Sequence, residues 1–170
     1  MNKGVARSTG DWVIFINAGD TFSSKDTLNN VASILDQSDC VYGYCYIKKS
    51  NGELVVQKSK AIETIWKGMI FCHQSLLLKR ELFVKFPFDL SYRISADFDQ
   101  FYKVLLSGAR VAGISNVISV FDDSGLSSTN YSLKNSENLE ISLKNSNGLK
   151  RKLFRWSYYK VRSIYYRFLV

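Results

Sequence analysis

Hydrophobic and polar positions fall into short blocks whose period changes along the chain. Trp12-Val13-Ile14-Phe15-Ile16 is an unbroken β-prone run, the pattern of a central strand covered on both faces. It ends in the polar, glycine-containing turn Asn17-Ala18-Gly19-Asp20. Ser24 then offers an N-cap for a helix through about Gln37, with Leu28, Val31, Ile34 and Leu35 on one side. Residues 40–47 and 54–57 predict two strands joined around Ser50-Asn51-Gly52, because Asn-Gly tolerates the positive φ of a tight hairpin. A short helix is predicted over 62–66 and a strand over 74–78, and the single proline, Pro87, marks a turn. Ser95 can cap a helix through about Ser107, with Phe98, Phe101, Tyr102 and Leu105 as its apolar stripe and Gly108 as its stop. Residues 110–114 and 117–121 predict two further strands.

Strands alternating with helices point to α/β layers around a mixed, mainly parallel sheet. Residues 1–9 have the pattern of a helix's last turns, stopped at Gly10, although no capping residue precedes them. Residues 124–148 are rich in Ser and Asn and predict a loop or linker. No internal repeat is visible, and 170 residues suit one domain.

Composition adds three constraints. Apolar residues make up 46% and charged residues 22%, which excludes wholesale disorder. The net charge of +8 belongs to the tail: residues 141–170 hold eight basic side chains and no acid, and the rest is neutral. Cys40, Cys45 and Cys72 show no metal-site spacing and predict buried thiols in a reducing compartment. No apolar run reaches the ~18–20 residues of a spanning helix. The first residues lead into a polar segment, unlike a secretion signal. These features together predict a cytosolic globular chain.

Candidate chemistry sits at element ends, where α/β sheets place their ligands. Asp20, just past the first strand, can hold a divalent cation against a diphosphate or simply satisfy its own turn. Asp97 and Asp99 stand in the first turn of the Ser95 helix, either as helix-dipole partners or with one of them as a general base. His73, the lone histidine, is either a packing residue or a cleft residue. In the tail, Leu153, Phe154, Val161, Ile164, Tyr165 and Phe168 share one helical face, with Arg151, Arg155 and Arg162 beside it. That is the build of an interfacial helix on an anionic membrane, the alternative being a helix packed on the body. No nucleic-acid-binding module is recognisable, and nucleic acid is not expected as a partner.

Taken together, four segments resemble family 2 glycosyltransferases of the GT-A fold, particularly bacterial enzymes of surface-polysaccharide assembly. Met1-Asn2-Lys3-Gly4 through Asp20 resembles that family's helix and following strand, which ends in a DXD-type metal site. Phe71-Cys72-His73-Gln74-Ser75 resembles its "HQ" segment near the acceptor side. Tyr92-Arg93-Ile94-Ser95-Ala96-Asp97-Phe98-Asp99 resembles the "ED" region that holds the catalytic base, and Gly125-Leu126-Ser127 is similar to a short "GGxS" element.

The resemblance implies a partial GT-A fold, the nucleotide-diphospho-sugar transferase fold. Residues 1–130 would form the C-terminal portion of the transferase domain, and 131–170 a linker and basic amphipathic helical tail. The nucleotide-binding strands that precede the resembling stretch in the family would be missing. It further implies inverting transfer from a nucleotide-sugar donor to a saccharide or lipid-linked saccharide acceptor. Asp97 would be the base, Asp20 the ligand of Mg²⁺ or Mn²⁺, and Asn17, His73, Gln74 and Asp99 substrate-binding groups. In the DXD element, Asn17 and Gly19 occupy places where many relatives carry carboxylates. The expected location is the inner face of the cell membrane, held by residues 149–170. The competing expectation is a catalytically inactive remnant or a membrane-associated interaction protein.

Overall fold

In the computed structural model the described residues are 1–122 and 130–167. The Gly125-Leu126-Ser127 segment and Phe168 lie outside them. The elements run α1 (Asn2–Arg7), β1 (Trp12–Val13), β2 (Thr21–Phe22), α2 (Thr27–Leu35), β3 (Cys40–Lys48) and β4 (Leu54–Gln57). They continue with β5 (Leu76–Lys79), α3 (Arg80–Lys85), α4 (Ala96–Leu106), β6 (Val111–Asp122), α5 (Tyr131–Lys144) and α6 (Leu149–Arg167). Short 3₁₀ helices occupy Ile62–Lys67 and His73–Ser75.

The sheet order is β1-β5-β3-β6-β2, with β4 also paired to β3. The expectation of a mainly parallel sheet is corrected here. Among the described residues only β3 and β6 run parallel, and β1–β5, β2–β6, β3–β4 and β3–β5 are antiparallel. The physical reason lies in the connections. The hairpin through Gly52 at φ 84° returns β4 antiparallel on β3; β5 also runs against β3, and the α3–α4 stretch that follows reverses the chain once more, so β6 lies parallel to β3.

β3 is the organising strand, and its residues alternate between two cores. Cys40 and Tyr42, with Leu76 and Leu78 of β5, face an aromatic core built with Phe71, Phe83, Phe98 and Phe101. Val41 and Leu77 face the opposite core with Ile118 and Val31 of α2. This two-sided cover explains why β3 lacks a polar alternation. The run 12–16, in contrast, contributes only Trp12–Val13 to an edge pairing and is half-buried, so it is not the central strand expected. The two strands predicted over 110–121 are one strand, β6. Its register against β3 shifts between Tyr42 and Cys45, opposite Asn116, and the extra residues there interrupt the hydrophobic pattern.

Two further corrections concern cysteines and the linker. Cys45 and Cys72 form a disulfide with Cα atoms 6.4 Å apart, and only Cys40 stays a buried thiol. Burial pushes the Cys40 thiol far above its ordinary range. Most of the Ser/Asn-rich stretch forms α5, whose N-cap Asn130 accepts the Leu133 N–H at 3.2 Å. The face that α5 buries is polar: Asn135, Glu137, Asn138 and Ser142 accompany Ile141. A hydrophobic stripe is therefore absent, and composition alone reads as linker.

α6 packs through Arg155, Tyr159 and Arg162. Tyr159 is fully buried and donates to the Trp66 carbonyl at 2.9 Å. Arg155 donates to the Ser142 carbonyl at 2.6 Å, and Arg162 to the Lys67 carbonyl at 2.8 Å. Among the described residues no helix is long and apolar enough to cross a membrane.

Candidate functional site

The site grows from three segments that the sheet brings to one end. The first is the turn after β1. Asp20 N–H donates to the Asn17 carbonyl at 3.0 Å, closing a turn in which Gly19 takes φ 91°, a conformation that L side chains rarely adopt. The Asp20 side chain does not satisfy its own turn. Its Oδ1 accepts the Asp122 N–H at 3.0 Å and its Oδ2 accepts Gln74 Nε2 at 2.9 Å. Three segments distant in sequence therefore meet at one carboxylate.

The second segment is the 3₁₀ turn His73–Ser75. Ser75 is fully buried and its hydroxyl donates to the Tyr44 carbonyl at 2.9 Å, fixing the turn to β3. His73 stacks on Phe15 at 5.8 Å and meets Phe88 edge-on. Both its ring nitrogens are buried, without a hydrogen-bond partner among the described residues. Burial lowers the imidazole pKa, while the charges of Asp97 and then Asp20 raise it.

The third segment is the start of α4. Glu137 of α5 holds the preceding backbone: its Oε1 accepts the Arg93 N–H at 2.8 Å, and its Oε2 those of Ile94 at 3.0 Å and Ser95 at 2.8 Å. Ser95 occupies the N-cap position but makes no side-chain cap bond. Asp97, two residues on, is half-buried and accepts the Phe98 N–H at 2.8 Å.

These segments border an open cleft of about 1040 Å³. Asn17, His73, Gln74 and Asp97 line it together. Asp20 stands one hydrogen bond behind the lining, through Gln74. Asp99 is fully buried, paired with Lys103, and is not among the lining residues. One helical turn cannot present positions two apart on one face, so Asp97 and Asp99 diverge. Among the described residues Asp97 is the single acidic one in the lining, which it shares with Lys60, Lys67, Arg93, Lys134 and Arg162. The sequence reading missed these five cations because they come from separate elements and form no local motif. It also missed Glu137, which the composition assigned to a linker. Among the described residues no three His, Cys, Asp or Glu side chains converge on a metal-sized position.

The arrangement can accept a proton at one carboxylate and hold an anion at several cations. Comparison with known proteins bears on what it handles. No family model matches the chain. It is 32% identical over 139 residues to the PGL/p-HBAD biosynthesis glycosyltransferase of Mycobacterium bovis and to its Mycobacterium tuberculosis counterpart Rv2957. These relatives are glycosyltransferases. The alignment covers 76% of this chain, which spans about half, 52%, of the curated relatives it matches. Two solved structures share the fold. S. aureus TarS 1-349 in complex with UDP matches with a TM-score of 0.60 at 16% identity, over 91% of this chain and 46% of that one. The mannosyltransferase PcManGT from Pyrobaculum calidifontis, in complex with GDP-Man and Mn²⁺, matches with a TM-score of 0.54 at 15% identity, over 93% and 47%. The mixed α/β architecture is thus that of glycosyltransferase structures.

Proposed function

We propose that the chain carries the catalytic and acceptor side of a GT-A-type, family 2-like glycosyltransferase. It would move a sugar, with inversion, from a nucleotide-sugar donor to a saccharide or lipid-linked saccharide acceptor in surface-glycan assembly. One observation carries the reading: among the described residues lining the cleft, Asp97 is the one carboxylate, and five lysines and arginines share the lining with it. The names of the relatives and the nucleotide-containing complexes of the structural neighbours support it.

In this reading the acceptor hydroxyl gives its proton to the Asp97 carboxylate as its oxygen bonds to the anomeric carbon. The bond from that carbon to the diphosphate oxygen breaks in the same step, and the electron pair leaves with the nucleoside diphosphate. The cations of the cleft oppose the charge that develops on the leaving group, a role that fixed charges perform best when little water competes. His73 lines the cleft with both ring nitrogens buried and unpartnered, so its part in this reading is to border the substrate site. Glu137 positions the Asp97 segment, and Gln74 positions Asp20.

A divalent cation, Mg²⁺ or Mn²⁺, fits Asp20 only as a one-carboxylate site. Each Asp20 oxygen already accepts one hydrogen bond and retains a lone pair, so the remaining ligands would be diphosphate oxygens and water. When bound, the ion would neutralise diphosphate charge. A catalytically silent remnant is the weaker reading, because the cleft keeps its carboxylate and its cations.

The test measures sugar transfer and donor binding by this chain and by Asp97→Asn. The expected result is a loss of transfer of about 10²–10⁴-fold, the usual worth of general acid–base catalysis, with donor affinity little changed. Transfer retained by Asp97→Asn, or no saturable nucleotide-sugar binding by the unaltered chain, would overturn the proposal.

A further inference from the structure

Helix α6 turns its apolar face away from the protein. Its inward face is polar and aromatic, with Arg155, Tyr159 and Arg162 bonded to backbone carbonyls of the body. At 100° per residue, Leu153, Val161 and Ile164 lie on the opposite side, and they are 56%, 68% and 56% exposed. Leu149, Phe154 and Tyr165 extend this outward surface, and Trp156 stands at its border. A globular helix normally buries such a stripe, so this one is built for a surface outside the fold.

The charges state which surface. Lys150 and Lys160 lie within the outward face and are exposed, and Arg151 and Lys152, also exposed, stand on the far side of the same first turns. No acidic residue follows Glu140 in the chain. A single convex helix face with aliphatic side chains, bordering aromatics and lysines of one sign matches the boundary between acyl chains and anionic headgroups. The lysine stems lie along the apolar zone while the ammonium groups reach the phosphates.

We infer that the outward face of α6 docks on an anionic bilayer surface. The inference stands on α6 alone and does not depend on the transferase reading. It has a geometric corollary. Tyr158, Arg162 and Tyr166 of the same helix line the cleft, so the cleft wall lies about one helix diameter, ~10 Å, from the docked surface.

The test is vesicle co-sedimentation of the full chain at low and high salt. One set of vesicles is neutral phosphatidylcholine, and the other contains about one-third phosphatidylglycerol. Binding to the anionic vesicles is expected, weakening at least several-fold at high salt. The triple variant L153S/V161S/I164S leaves the packing face of α6 intact, and circular dichroism checks its helix content. It should bind at least tenfold more weakly, and K150E/K160E should lose the preference for anionic vesicles. Equal binding to neutral vesicles, unchanged binding by the folded triple variant, or no binding by the unaltered chain would each overturn the inference. So would lipid-free self-association abolished by the triple variant, which would make a second copy the occupant.

Discussion

The Glu137 carboxylate carries the backbone of Ser95: its Oε2 accepts the Ser95 N–H at 2.8 Å across 42 residues of sequence. The same side chain accepts from Arg93 and Ile94, so one residue of α5 sets the path of the chain just ahead of Asp97. Glu137→Ala should destabilise the protein by about 2–4 kcal/mol, because three N–H donors lose a charged acceptor, each typically worth 1 kcal/mol or more. Glu137→Gln should recover part of this loss, since an amide keeps only one acceptor oxygen. Urea unfolding of the two variants decides the matter, and equal stability of Glu137→Ala and the parent would refute it.

The single histidine permits a direct reading of the cleft's electrostatics. Burial lowers the His73 pKa, so its imidazole resonance should titrate with a midpoint below the ordinary 6.5. Asp97→Asn removes the larger of the two raising charges and should push the midpoint lower still, with Asp20→Asn having a smaller effect. Because the unfolded chain binds this proton more readily than the native one, the His73 contribution to stability falls as pH drops through about 6.5. NMR titration of the imidazole would check both statements, and an upward shift in Asp97→Asn would contradict them.

A second pH dependence comes from Asp39 at the foot of the sheet. Arg110 and then Lys79 hold its carboxyl well below the usual carboxylate range, with contacts of 2.9 Å from Arg110 Nη2 and 2.8 Å from Lys79 Nζ. The stabilisation is therefore complete above the unfolded carboxylate pKa of ~4 and is lost as pH falls toward the native value. Both cationic partners are partly exposed, so solvent and salt screen the effect. Asp39→Asn should lower Tm by roughly a few degrees at pH 7, and that gap should begin to narrow below about pH 4. Calorimetry across pH 3–7 measures it, and a gap independent of pH would count against the ion pairs.

Gly43 leaves no room for a side chain between β3 and β6. A Cβ there would lie 2.5 Å from the Asn116 carbonyl oxygen and 2.8 Å from Ile118 Cδ1. The first of these is backbone and has little room to move. Gly43→Ala should cost about 1–3 kcal/mol by overpacking, whereas Gly52→Ala, where a Cβ meets nothing within 4 Å, is limited to the strain of its positive φ. Chemical denaturation of both variants tests the contrast.

Much of the strand and helix inventory was legible because local signals carry it. Asn51-Gly52 marked the hairpin, the stripe Phe98, Phe101, Tyr102, Leu105 marked α4, and Gly108 marked its end. Pairing direction was not legible, since periodicity describes a strand's faces and leaves its neighbours unspecified. α5 escaped because its buried side chains are mostly polar, and those of Glu137 and Asn135 find their partners outside α5. At the cleft, the residues in contiguous motifs were legible: Asn17, His73, Gln74 and Asp97 all line it. Asp99 lies apart from the lining because adjacency in sequence says nothing about which way a first-turn side chain points. The dispersed lysines and arginines became neighbours only through folding.

Helix α6 contributes Arg162 and Tyr166 to one wall of the cleft while its other side faces outward. Two surfaces of different chemistry are thus carried on one backbone, so any substitution that tilts or rotates this helix alters both together.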